Sequence, residues 1–118
     1  MSAVAVLAVS PRPIKAAPLP TAVGSCSVTT IERIGSRLDG HPESGSGVVY
    51  ANGGTQVSYE VIAALHRSRP GDRVRLCLLS IPANCPPGDD RGRVYRATNL
   101  RTGASWVAPD AQHSCGGA

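Results

Sequence analysis

Four cysteines are the residues of this chain that most directly indicate chemistry. Cys26, Cys77, Cys85 and Cys115 form an even set, which in a small domain is typical of two disulfides. Four cysteines allow three pairings. We favour Cys77–Cys85, which would close a turn, together with Cys26–Cys115, which would join the two ends of the domain. The alternative is a cytosolic protein with four reduced thiols in its core.

The same region also contains soft ligands for a metal ion. Cys77, Cys85, Cys115 and His113 make up a Cys₃His set, but common zinc knuckles need cysteine pairs separated by two to four residues. The spacing therefore favours disulfides, and we predict neither a metal nor a cofactor.

Serine and histidine residues could support nucleophilic catalysis. Ser44 and Ser46 lie in a Gly-rich stretch, and His41, His66 and His113 could act as bases. However, the strand–Gly-x-Ser-x-Gly–helix arrangement of a nucleophile elbow is absent, and serines in such a stretch are typical of turns. We therefore favour a non-enzymatic protein and keep a small hydrolase-like enzyme as an alternative.

A group of arginines surrounds the turn at residues 70–72, namely Arg67, Arg69, Arg73 and Arg75. They could bind an anion or pair with the nearby carboxylates of Glu60 and Asp72. The net charge of the chain is 12 − 8 = +4, which is too small for a dedicated nucleic-acid groove. We therefore expect an unknown protein or another anionic partner, not a nucleic acid.

The clearest structural signal is a β-hairpin. Residues 48–51 and 55–61 flank Asn52-Gly53-Gly54, and Asn-Gly readily adopts the positive φ angles of a tight turn. In the second arm Val57, Tyr59 and Val61 alternate with polar residues, so these three are predicted to face the core.

Weaker patterns predict the other elements. Residues 27–33 favour a strand, although a helical spacing also fits, and residues 62–67 favour a short helix. Residues 73–81 form a strand with Val74, Leu76 and Leu78 on one face, and residues 93–98 and 104–107 form a second hairpin. The fold class is therefore α+β: mainly antiparallel β, as a small sheet or partial barrel, with one or two short helices and disulfide staples.

The N-terminal segment differs from the rest of the chain. Residues 1–25 are predicted to be a leader or disordered tail, and residues 26–118 a single small β-rich domain. The apolar run from Ala3 to Val9 suggests a signal peptide, and Val23-Gly24-Ser25 before Cys26 suggests a lipoprotein as an alternative. No apolar run approaches the length of a membrane span. We expect a bacterial, periplasmic or secreted monomer.

Two resemblances follow from longer motifs. The segments SGSGVVYANGG, RSRPGDRVRLCL, CPPGDDRG and NLRTGASW resemble a group of small uncharacterised exported proteins of betaproteobacteria, which implies export but no activity. The loop from Ser44 to Tyr50 resembles the S-G-S-G-x-x-Y loop of the periplasmic and membrane-bound inhibitors of c-type lysozyme, although the Lys-Gly loop of that family is missing. That resemblance implies an inhibitor of c-type lysozyme that uses Ser46 and Tyr50, with Arg67 or Arg69 in place of the lysine.

Overall fold

The computed structural model describes residues 17–117, and they form one curved antiparallel sheet. The strands are β1 Cys26–Gly35, β2 Ser46–Tyr50, β3 Thr55–Ser58, β4 Arg73–Ser80, β5 Val94–Asn99 and β6 Ser105–Pro109. One short helix, α1 Ala63–His66, and a 3₁₀ turn, Pro42–Ser44, complete the regular elements of this part of the chain. The strand order is β3-β2-β1-β4-β5-β6, which confirms the predicted fold class.

The first strand holds the two halves of the sheet together. Its N-terminal half pairs with β4 and its C-terminal half pairs with β2. The register shifts between Ile31 and Arg33, so Glu32 is an extra residue in the ladder. Such a bulge bends the strand and increases its twist. The sheet therefore curls into a half-barrel that brings β3 close to β6.

The core lies inside this curve. Val74, Leu76 and Leu78 share one face of β4, as predicted, because alternate residues of a strand point to the same side, and all three are buried. They pack with the other buried side chains of the cluster, which include Ile31, Tyr50, Leu65, Tyr95 and Trp106. Through Leu65, which is buried, and Ala64, which is partly buried, α1 packs against this core.

The predicted inner face of β3 is wrong. The strand ends at Ser58, and Tyr59 and Val61 are 58% and 56% exposed. Gln56 is the residue that points inward, with 1% of its surface exposed. A buried polar side chain is tolerated where all its hydrogen bonds are made, and Gln56 makes four, to Tyr50, Trp106 and the carbonyls of Tyr95 and Ala108.

The segment before β1 lies against the sheet. The amide of Ala17 donates to the carbonyl of Val28, that of Gly24 donates to the carbonyl of Leu78, and Leu19 packs on the core. The first sixteen residues, which contain the apolar run predicted as a signal region, lie outside the described residues. A leader therefore remains a prediction.

All four cysteines are in disulfides, as predicted, but the favoured pairing is wrong. The bonds are Cys26–Cys77 and Cys85–Cys115. Cys26 and Cys77 are direct partners in the β1–β4 ladder, with Cα atoms 4.0 Å apart. The loop that contains Cys85 turns away from β4 toward the C-terminal segment, where the amide of Cys115 donates to the carbonyl of Arg91 over 2.7 Å.

Candidate anion-binding face

The carboxylate of Asp72 is the centre of a polar network at one end of the sheet. It accepts hydrogen bonds from Arg101 Nε at 2.7 Å and Nη2 at 2.9 Å, and from Asn99 Nδ2 at 2.9 Å. Arg69 contributes only its backbone amide, at 2.9 Å. The hydrogen bonds from Arg101 are the largest of the effects that hold the pKa of Asp72 well below its usual range. The carboxylate predicted to neutralise the arginines near the turn is thus occupied by an arginine from the β5–β6 hairpin.

Several arginines are consequently left without a carboxylate. Within residues 17–117, six exposed arginines make no ion pair: Arg33, Arg67, Arg69, Arg73, Arg75 and Arg96. The ion pairs of arginine in that range are Arg101–Asp72 and Arg91–Asp89. The positive charges of these six side chains are therefore not neutralised by a carboxylate among the described residues.

Strand pairing places three of these arginines on one exposed sheet face. Residues directly opposite each other in an antiparallel pair project to the same side, and the outward rows are Thr30–Arg73, Val28–Arg75–Thr98–Ser105 and Cys26–Cys77–Arg96–Val107. No acidic residue occurs in these rows. We refer to Arg73, Arg75 and Arg96 as the arginine face.

Of the predicted binding residues, Arg73 belongs to the arginine face. Arg67 and Arg69 are exposed in the connection that leads from α1 into β4. In the sequence they precede Arg73 by six and four residues. Sequence reasoning missed Arg96. Its signal was the alternation in β5, where Tyr95, Ala97 and Asn99 are buried and the residues between them face outward.

The other two predicted contacts, Ser46 and Tyr50, are buried. Ser46 is 0% exposed and Tyr50 is 1% exposed. Burial raises the pKa of the Tyr50 phenol, whose hydroxyl donates to Gln56. Neither side chain presents accessible atoms to a partner in this structure. The two side chains that the lysozyme-inhibitor resemblance implies as contacts are therefore inaccessible to a partner in this fold.

Ser46 contacts a histidine, which is the pairing that the hydrolase alternative requires. Ser46 Oγ lies 2.9 Å from His66 Nε2, accepts from the amide of Ile62 at 2.8 Å and donates to the carbonyl of Glu60 at 2.8 Å. Because a hydroxyl has one proton, donation to Glu60 makes Nε2 the donor in the serine–histidine contact. A catalytic base must instead accept the serine proton. These bonds hold residues 60–62 against β2 and α1.

Across residues 17–117 no three His, Cys, Asp or Glu side chains come together in a way that could hold a metal ion. The three cysteines of the Cys₃His alternative are in disulfides.

Comparisons of the chain with protein-family models, with curated proteins and with solved structures give no match.

Proposed function

We propose that this protein is a non-enzymatic, exported bacterial binding domain whose arginine face binds an anionic partner. One observation carries the proposal: Arg73, Arg75 and Arg96 share an exposed sheet face on which the paired strands place no carboxylate. An arginine presents a rigid fork of donors that matches carboxylate, sulfate and phosphate oxygens.

The scaffold suits such a site. The three arginines project from β4 and β5, which are central strands, and binding groups on strands are positioned more rigidly than groups on loops. The disulfide Cys26–Cys77 occupies the same outward row as Arg96 and links β1 to β4. The backbone that carries the face is therefore fixed before a ligand arrives, so only the arginine side chains lose conformational entropy on binding.

Two disulfides support the exported location, because disulfides form and persist in the periplasm and outside the cell. No helix among residues 17–117 is long and apolar enough to cross a membrane. A periplasmic or secreted location is part of the proposal.

The proposal is tested by binding of the full chain, with its disulfides intact, to heparin as a generic polyanion. Arg75→Gln and Arg96→Gln should each weaken binding about fivefold, since an exposed ion pair contributes up to about 1 kcal/mol. Arg91→Gln is the matched control, because it removes the same charge from an arginine that already pairs with Asp89 in the loop before β5. An equal loss in all three variants, or no binding at low salt, would contradict the proposed face.

A further inference from the structure

Two glycines face each other on the outer surface of the β1–β2 pair. Gly35 and Gly47 are direct ladder partners, and neither has the positive φ that favours glycine. A Cβ atom at Gly35 would meet nothing within 4 Å, and one at Gly47 would meet its nearest atom, the carbonyl oxygen of Ser36, at 3.6 Å. Glycine in a strand lowers stability and often marks a place where another molecule approaches the backbone closely. Neither conformation nor packing therefore explains this pair.

The missing side chains leave an open depression of about 520 Å³. The backbone of Gly35 and Gly47 contributes to its floor, because each glycine lacks the side chain that would fill the space above it. Val49 and Val57, which pair with Arg33 and Gly47 respectively, are the apolar side chains on the same outward face. A volume of this size lies within the range of small-ligand sites.

The depression is also lined by a fixed cation. Arg37 is half-buried, donates from Nε to the Ser44 carbonyl at 2.7 Å and from Nη1 to Gln112 Oε1 at 3.0 Å, and stacks 4.2 Å from the centre of the Tyr59 ring. All of these partners are neutral. Within residues 17–117, three of its five N–H groups make no hydrogen bond, and Arg37 makes no ion pair.

Two more charged residues line the depression, and their charges indicate which chemical groups a ligand must carry. Arg33 adds a second guanidinium without an ion pair in the described part of the chain, and Asp39 adds one carboxylate. Two arginines match a carboxylate group, whereas Asp39 accepts hydrogen bonds from hydroxyl groups and repels densely charged phosphate chains.

We propose that this depression binds a uronic acid residue of an acidic oligosaccharide. The sugar ring lies over the bare glycine backbone, its carboxylate accepts from Arg33 and Arg37, and a ring hydroxyl donates to Asp39. The site goes beyond the proposed function, because Arg73, Arg75 and Arg96 do not line it. Its failure in a test would therefore leave the arginine face unaffected.

The experiment titrates the ¹⁵N-labelled full chain with a galacturonic acid hexamer and follows backbone amide shifts. We expect shifts at Gly35 and Gly47, and no binding of the same hexamer with methyl-esterified carboxylates. Gly35→Val should abolish the hexamer-induced shift of the Gly47 amide while the thermal midpoint stays constant or rises, because the side chain enters open space and valine favours strands. Ser80→Val is the control, since it adds valine at the exposed end of β4, outside the depression.

A charge variant keeps the test decisive if Gly35→Val does not fold. Arg33→Gln should weaken hexamer binding, followed at the Gly47 amide, about tenfold, and Arg91→Gln, with the same change in net charge, should not. An equal shift at Gly47 with the methyl ester, an undiminished Gly47 shift in Gly35→Val or Arg33→Gln, or shifts at Gly35 and Gly47 produced only by inorganic polyphosphate would each overturn the proposal.

Discussion

Replacement of Gln56 by methionine tests how the half-barrel is closed. The Gln56 side chain extends from β3 and fills all four of its hydrogen-bonding positions inside the core. Its Oε1 accepts from Tyr50 and from Trp106 Nε1 at 2.9 Å, and its Nε2 donates to the carbonyls of Tyr95 at 2.9 Å and Ala108 at 3.1 Å. Methionine has nearly the same length and volume, so the change removes the polar contacts and leaves little cavity.

The expected loss in the free energy of unfolding follows from the two buried donors that lose their acceptor. The hydroxyl of Tyr50 and the indole N–H of Trp106 are both buried, and an unsatisfied buried donor costs about 1–3 kcal/mol. The two carbonyls contribute less, because an under-satisfied carbonyl is tolerated better than an orphaned N–H. We expect the free energy of unfolding to fall by about 2–6 kcal/mol, a large part of the stability of a domain of this size.

The assay is urea unfolding with intact disulfides, monitored by the fluorescence of Trp106, the single tryptophan of the chain. A loss of about 4 kcal/mol lowers the urea midpoint by about 2 M at a typical slope. Gln112→Met is the matched control, since this exposed glutamine accepts one hydrogen bond, from Arg37, and should change stability by less than about 0.5 kcal/mol. A Gln56→Met protein within that same margin of the wild type would refute the claim that these bonds close the barrel.

Two further predictions concern the Asp72 network and the disulfides. The pKa of Asp72 is depressed in the folded state, so the stabilisation by its ionised form is present above the unfolded pKa of about 3.9 and disappears as pH falls through the folded pKa. The urea midpoint should therefore decline less steeply between pH 5 and pH 2 in Asp72→Asn than in the wild type. Parallel curves for the two proteins would contradict this. Replacing both cysteines of Cys26–Cys77 or of Cys85–Cys115 by alanine should lower stability by about 4.1 or 3.6 kcal/mol, from chain separations of 51 and 30 residues. Trypsin has no cleavage site between Cys77 and Cys85, so both cysteines stay on one peptide. The observed pairing joins that peptide to the peptides of Cys26 and Cys115, and a non-reduced digest should contain this complex of three. A single peptide closed by a Cys77–Cys85 bond would contradict the pairing.

Local patterns predicted the strands well and the inward residues of β3 poorly. The Asn52-Gly53 turn and the alternation in β4 depend on neighbouring residues, and both elements form as expected. In β3 the apolar alternation of Val57, Tyr59 and Val61 predicted the wrong face. The deciding factor is the approach of β6 to β3, which supplies hydrogen-bond partners for Gln56. A local sequence pattern does not predict that approach.

The cysteine pairing failed for the same reason. A short sequence separation makes the Cys77–Cys85 loop easy to close, but β1 pairs with β4 in a register that puts Cys26 beside Cys77. The few aromatic residues are concentrated in the core, with Tyr50, Tyr95 and Trp106 all buried.

The candidate face shows why charge near a turn is a poor guide to charge on a surface. Along the chain Asp72 is next to the arginines at 69 and 73, and simple proximity would neutralise them. In the fold, Arg101 arrives from a hairpin 29 residues away and occupies both carboxylate oxygens. The local arginines therefore remain unpaired, and strand pairing brings Arg96 to join them. The anion-binding capacity that we assign to this domain thus depends on an ion pair outside the face itself, because that pair occupies the carboxylate that directly precedes Arg73 in the chain.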